Sequence, residues 1–256
     1  MSQFTNFSLE GKIALVTGAS YGIGFAIASA YAEAGATICF NDIKQELVDK
    51  GLAAYAEKGI KAYGYVCDVT DEEAVNNMVA QIEKEVGTID ILVNNAGIIK
   101  RADAIDVTVE EWDQVIDLNQ KLVFFLSQAV AKDWIADKKG GKIINICSML
   151  SYQGGIRVPS YTTSKSGVAG LTRALANEWA IHNINVNAIA PGYMATNNTT
   201  QLRNDSNRND AILERIPAGR WGTPEDMYGA AIFLASDASA YMNGFTIAVD
   251  GGWLAR

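Results

Sequence analysis

The sequence predicts an α/β protein: a single-domain, doubly wound parallel sheet of seven strands with helices on both faces. Three observations carry this expectation. Short, nearly unbroken apolar runs alternate with longer helical stretches along the chain, as happens when parallel strands are buried on both faces under helices. The first run, KIALVT at residues 12–17, passes directly into the glycine-rich turn Gly18-Ala19-Ser20-Tyr21-Gly22-Ile23-Gly24 and then into an alanine-rich helix. Finally, the 256 residues suffice for a sizeable core, and no Pro/Gly/Ser-rich linker, repeat or low-complexity tract divides them.

Each element follows in turn. After the strand at 12–17, FAIASAYAEAGA marks a helix over 22–34 that ends near Gly35. TICFN gives a strand at 37–41 ending in Asp42, followed by a helix at 44–58. A third strand at 62–67 leads into Asp68-Val69 and a helix at 72–86; a fourth at 89–93 leads into Asn94-Asn95-Ala96-Gly97 and a long helix at 109–136. KIINIC gives the fifth strand, 142–147, ending at Ser148, before a helix at 160–181. A sixth strand at 184–189 runs into Pro191-Gly192, helices follow at 206–215 and 224–236, and a last strand lies at 245–249. The polar, Asn-rich stretch Thr196–Ile216 reads as a mobile lid or an ordinary surface loop. Right-handed crossovers between parallel strands place all strand C-termini on one edge, where ligands of such sheets bind. Asp68, Asn94, Ser148 and Pro191-Gly192 all fall there.

Two local patterns point to chemistry. Strand, glycine turn and helix is the layout that puts a pyrophosphate on a helix N-terminus. Gly18 permits the tight turn, while Gly22 and Gly24 allow close approach of backbone to phosphate and of helix to strand. The spacing, GxxxGxG, differs from the general GxGxxG fingerprint, and a plain strand-to-helix loop is the competing reading. Asp42, about 20 residues further on, suits the two ribose hydroxyls of NAD and repels a 2′-phosphate, with Lys44 nearby to soften that preference. In the second pattern, Tyr161 and Lys165 stand four apart on one helix face. A neighbouring ammonium favours phenolate, so Tyr161 is expected to exchange protons near neutral pH, with Ser148 converging on the same oxygen.

Composition narrows the classes further. A net charge of −8 argues against general nucleic-acid binding. The absence of an apolar run of transmembrane length or a leader-like segment before the first strand gives the expectation of a cytoplasmic enzyme with no membrane partner. Cys39, Cys67 and Cys147 sit in or beside apolar strands and read as buried free thiols, without metal spacing. His182, the sole histidine, falls near a helix end and receives no catalytic role.

Taken together, these motifs resemble the short-chain dehydrogenase/reductase family over nearly the whole chain. The matching pieces are Thr17–Gly24, Asp68-Val69, Asn94-Asn95-Ala96-Gly97, the set Asn119, Ser148, Tyr161 and Lys165, and Pro191-Gly192 with Thr196. The resemblance implies a Rossmann-type fold and an NAD-dependent alcohol dehydrogenase, with NADP also possible. It implies a cofactor site from Gly18, Ser20, Tyr21, Gly22, Ile23, Gly24, Asp42, Asp68, Val69, Asn95, Ala96, Gly97, Tyr161, Lys165, Pro191, Gly192, Met194 and Thr196. Asn119 would hold a water linking Lys165 to solvent, and Lys165 the nicotinamide ribose. It further implies a homotetramer built on the two long helices and the last strand, with Trp179, Trp221 and Trp253 as packing or interface residues.

Within the family, the span from about Gly141 to Arg256 resembles dehydrogenases of deoxy-keto sugar acids, and the N-terminal half resembles gluconate dehydrogenases. Both imply oxidoreduction at a secondary alcohol of a small anionic six-carbon acid. A guanidinium fork would meet its carboxylate. Arg101, Arg157 and Arg203 are the candidates, with Gln153 and Asn198 for hydroxyls and Ser148 and Tyr161 at the reacting oxygen. Two other readings remain open here: a carbonyl reductase of the same family for acyl thioesters or steroids, and a catalytically silent dinucleotide-binding protein.

Overall fold

The computed structural model describes residues 6–256 and builds one seven-stranded sheet. Its strands are β1 Ile13–Thr17, β2 Thr37–Asp42, β3 Ala62–Val66, β4 Ile91–Asn94, β5 Gly141–Ile146, β6 Ile184–Pro191 and β7 Thr246–Val249. They are ordered β3-β2-β1-β4-β5-β6-β7 and every pairing is parallel. The winding reverses between β1 and β4, where Val16 pairs with Val93. Such a reversal opens a crevice beyond the strand C-termini.

Successive side chains of a strand point to opposite faces. Leu15, Cys39, Leu92 and Ile143 therefore enter one core, which includes Met78 and Ile82 of α3 (Glu72–Glu85), Leu126 and Trp134 of α5 (Leu122–Ala136) and Leu175 of α6 (Pro159–Trp179). Val16, Phe40, Val93 and Ile144 enter the other, with Ile27 of α1 (Gly22–Glu33), Val48 and Tyr55 of α2 (Gln45–Glu57) and Leu234 of α9 (Tyr228–Ala235). A sheet enclosed this way needs apolar side chains at odd and even positions alike, which explains the unbroken runs. The three cysteines are buried and free, and Trp179 packs in the first core.

Strand ends agree with the expected ranges to within two residues. β4 starts at Ile91, and β6 runs on to Pro191 because Ala190 and Pro191 still pair with Ala248 and Val249. The helices differ more. The stretch 109–136 is α4 (Val109–Ile116), a π-helical turn at Asp117–Lys121, and then α5. Residues 224–236 open with a 3-10 turn, Pro224–Met227, before α9. The segment after Thr196 holds α7 (Thr200–Asn204), which was not expected, and α8 (Ser206–Arg215), which was. Ile212 and Ile216 are buried beneath this segment with Met149, Leu150, Val158 and Trp253. Among the described residues no helix is long and apolar enough to cross a membrane, and no group of His, Cys, Asp and Glu is placed to hold a metal ion.

Candidate active site

The crevice between β1 and β4 is built around Thr17. Its Oγ1 accepts from the amides of Asn95 (3.0 Å) and Ala96 (2.9 Å), while Asn95 Nδ2 donates to the carbonyls of Thr17 (2.8 Å) and Gly18 (3.2 Å). These bonds fasten the glycine turn to the end of β4. Gly18 and Gly22 have φ of 60° and 67°, the left-handed region that side chains resist. Gly24 is required for a different reason: a Cβ there would lie 2.4 Å from Asn95 Nδ2. The N-terminus of α1 carries no acidic residue in its first turn and no side-chain cap at Tyr21, and the Ser20 hydroxyl is buried without a partner. Unused amides, a helix dipole and an orphan hydroxyl together fit a phosphate.

Further along this edge, Asp42 ends β2 in a buried position, and its Oδ1 accepts from the Ile43 amide at 2.9 Å. The second carboxylate oxygen has no partner of that kind and suits a ribose hydroxyl. Lys44 precedes α2 and forms no ion pair with Asp42 among the described residues. Val69 is buried beside Asp68, whose Oδ1 accepts from the Thr70 amide and hydroxyl (2.9 and 2.7 Å). The residues present therefore fit a dinucleotide.

The catalytic end brings the four expected residues together. Ser148 follows β5, and its hydroxyl oxygen accepts from the Leu150 amide at 3.1 Å. Lys165 is 4 % exposed; its Nζ donates to the Ile146 carbonyl at 2.6 Å and lies 5.7 Å from the Tyr161 ring centroid. Burial lowers the Lys165 ammonium from its ordinary 10.5 to about 8. Burial pushes the Tyr161 phenol up, opposed by the Ser148 hydroxyl and by the Arg101 guanidinium, with Cys147 adding to the rise. The Lys165 ammonium stands over the Tyr161 ring face and is engaged by a backbone carbonyl, and the groups that oppose the effect of burial on the phenol are Ser148 and Arg101.

Asn119 sits in the π-turn. Its Oδ1 accepts from the Ile98 amide and its Nδ2 donates to the Ile98 carbonyl (both 2.8 Å) and to Ser164 Oγ (3.2 Å). It clamps the chain just after β4. Gly97 packs there so closely that a Cβ would be 3.0 Å from Asn119 Oδ1 and 3.8 Å from Lys165 Nζ. On the opposite side, Gly192 follows β6, where a Cβ would lie 2.7 Å from the Asp250 Cα. Met194 is buried and bridged to Gly222, and its carbonyl accepts from the Thr196 amide (3.0 Å) and the Thr199 hydroxyl (2.6 Å).

The proposed substrate residues divide. The Arg101 guanidinium favours the ionised Tyr161 phenol electrostatically, and its Nη2 donates to the Asn198 carbonyl at 3.1 Å. Arg157 instead pairs with Asp103 at 2.9 Å, both side chains well exposed, with its own φ at 64°. Its charge is already matched there. Arg203 Nη2 donates to the carbonyl of Thr196 at 3.1 Å, bracing the start of the segment 196–216. Gln153 Oε1 accepts from Arg215 Nη2 at 3.0 Å.

Comparison with known proteins agrees with this geometry. A family model described as enoyl-(acyl carrier protein) reductase matches residues 18–254. The 2-dehydro-3-deoxy-D-gluconate 5-dehydrogenase of Dickeya dadantii is 58 % identical over 98 % of each chain, and the gluconate 5-dehydrogenase of Gluconobacter oxydans 44 % over 98 % of each. The chain belongs to the short-chain dehydrogenase/reductase family. It is a pyridine-nucleotide-dependent oxidoreductase. Among solved structures of the family, a gluconate 5-dehydrogenase from Burkholderia cenocepacia in complex with NADP and tartrate superposes with a TM-score of 0.94, at 40 % identity and 98 % coverage of both chains.

Several residues of this short-chain dehydrogenase/reductase site were not singled out from sequence. Ser164 accepts from Asn119 Nδ2 and donates to the Tyr161 carbonyl, and its only linear signal is its position one before Lys165. Tyr193 packs edge-on against Trp221 and Trp253, with centroids 5.4 and 4.8 Å away. Arg208, Arg215 and Arg101 all lower its phenol against the dominant upward push of burial. Arg208 and Arg215 are seven apart on α8, two turns on one face, a spacing the sequence does display.

Proposed function

We propose that this protein is an NAD(H)-preferring dehydrogenase acting on a secondary alcohol or ketone of a six-carbon sugar acid, and that its substrate is 2-dehydro-3-deoxy-D-gluconate at carbon 5. The observation that carries the chemistry is the convergence of Ser148, Tyr161 and Lys165 at the crevice, with Asn119 clamping its wall. A bound nicotinamide dinucleotide supplies the hydride acceptor or donor. Tyr161 takes the proton from the substrate hydroxyl in oxidation and returns it in reduction. Ser148 hydrogen-bonds the same oxygen and steadies the charge developing on it. Lys165 and Thr196 would hold the nicotinamide half, Gly18, Ser20, Tyr21, Gly22, Ile23 and Gly24 the pyrophosphate, Asp42 the adenosine ribose, and Asp68, Val69, Asn95, Ala96 and Gly97 the adenine side of the crevice. Asn119 positions Gly97 and Ile98 against Lys165.

The sugar-acid assignment is supported by the higher identity to the deoxy-keto acid enzyme than to the gluconate enzyme, and by positive charge acting on Tyr161 in a protein of net charge −8. The preference for NAD rests on Asp42. We further propose that residues 1–256 act as one domain, with a cofactor part at about 10–150 and a substrate part at about 140–256. A homotetramer is supported by the exposed Tyr241 and Phe245 beside the edge strand β7.

The test is NADH oxidation with 2,5-diketo-3-deoxygluconate and with 5-ketogluconate in parallel. The proposal predicts kcat/KM at least tenfold higher for the deoxy acid, about 1.4 kcal/mol of discrimination. The reverse preference would make the protein a gluconate 5-dehydrogenase. Turnover of neither, with an acyl thioester accepted, would overturn the sugar-acid reading.

A further inference from the structure

A six-carbon acid has two ends. The reacting hydroxyl belongs at Tyr161, and the carboxylate of a 5-hydroxy or 5-keto acid lies four carbons away. Trp253 and Tyr193 belong to the same apolar cluster as Tyr161, and the exposed Arg215 lies against its Trp253 edge. Trp253 is 4 % exposed, and its indole N–H has no hydrogen-bond partner among the described residues. A buried donor left unpaired is destabilising, a penalty that an oxygen from a ligand would relieve. Tyr193 packs 4.8 Å from the Trp253 ring and is itself only partly covered. Arg215 reaches back from the end of α8, stacks with its guanidinium carbon 4.0 Å from the Trp253 centroid, and is held in place by one hydrogen bond to Gln153 at 3.0 Å. A guanidinium has five N–H donors, so this bond orients the fork without exhausting it.

We propose that Arg215, Tyr193 and the Trp253 indole N–H form the carboxylate-recognition corner of the substrate pocket, with Gln153 as the residue that positions Arg215. This deepens, and rests on, the sugar-acid reading above. It divides the work between two arginines. Arg101 acts electrostatically on the reacting phenol and ties the wall after β4 to the segment 196–216 through Asn198. Arg215 meets the far end of the substrate. The C-terminal residue adds support, since Arg256 Nε and Nη2 donate to the carbonyls of Arg215 (3.2 Å) and Glu214 (2.5 Å). Those carbonyls lie in the last turn of α8, where helix carbonyls lack intrahelical donors.

The test uses the complex of the full protein with NADH and reads binding of D-gluconate by calorimetry, with the uncharged polyol D-glucitol as the control. Arg215→Met is expected to weaken gluconate at least tenfold while leaving glucitol and NADH binding within twofold of the parent. Arg215→Lys should recover part of the gluconate affinity, which a purely structural role for the stacked side chain would not produce. Equal gluconate affinity in parent and Arg215→Met, or no gluconate binding by the parent complex, overturns the corner. The outcome is independent of which keto acid is turned over: a protein that reduces neither sugar acid yet binds gluconate through Arg215 would refute the assigned reaction and retain the corner.

Discussion

Lys165 carries opposing demands. Its ammonium is proposed to hold the nicotinamide ribose, yet it is buried with one backbone carbonyl as its hydrogen-bond partner among the described residues. The folded-state value of about 8 lies below the ordinary 10.5, so the unfolded chain binds this proton more tightly. Stability contributed by this site therefore rises as pH climbs from about 8 towards 10.5, and below pH 8 the full penalty applies, about 3 kcal/mol at one unit per 1.36 kcal/mol. Lys165→Met should accordingly be more stable than the parent at pH 7 in the cofactor-free state, by up to that amount, with the gap closing by pH 10. Urea unfolding at the two pH values checks this; a variant less stable than the parent at pH 7 would show that the carbonyl bond outweighs desolvation. Tyr161 shows the same tension, pushed up by burial and restrained by Ser148 and Arg101. The four-residue spacing of Tyr161 and Lys165 suggested these residues, and the family resemblance of the rest of the chain gave them weight. Their electrostatics were not readable there, because the Ile146 carbonyl that engages Lys165 is placed by tertiary structure.

At the scale of elements, the π-turn at Asp117–Lys121 is the feature the linear pattern did not show. Its residues continue a helical pattern on both sides, and nothing in DLNQK marks a change of hydrogen-bond spacing. The turn presents Asn119 to both backbone groups of Ile98, consistent with the frequent occurrence of such bulges at functional sites. Asn119→Ala should lose about 1–3 kcal/mol of stability, because two backbone groups forfeit their partner. It should also depress kcat more than NADH affinity, since the displaced wall faces Lys165. Denaturant titration, steady-state kinetics and NADH fluorescence read the three quantities; unchanged stability would deny the clamp. The segment 196–216 was legible only in part. Asp205 caps α8 through the Arg208 amide as a sequence signal would suggest, while the separate α7 ends where Asp205 turns extended (φ −89°, ψ 103°).

The whole molecule was the most legible level. Unbroken apolar strands, the glycine turn and the acids and amides at strand ends are local requirements of a doubly wound sheet, and each falls at the ligand-binding edge. The substrate end was the least legible, because it joins Gln153, Tyr193, Arg215 and Trp253 across large sequence separations, with Gln153 and Arg215 62 positions apart. Arg157, close to the reactive residues in sequence, turns outward to Asp103. Proximity along the chain was a poor guide there, and only packing identifies the arginine that faces the pocket.

The central claim is that Tyr161 moves the proton in a dinucleotide-dependent oxidoreduction, and Tyr161→Phe tests it most directly. Steady-state turnover of the preferred keto acid and NADH binding by fluorescence would be measured on the same preparation. The account predicts a loss of kcat of about 10²–10⁴-fold or more, the usual contribution of a general acid or base, with NADH affinity nearly unchanged. Turnover close to that of the parent, with NADH still bound, would contradict it.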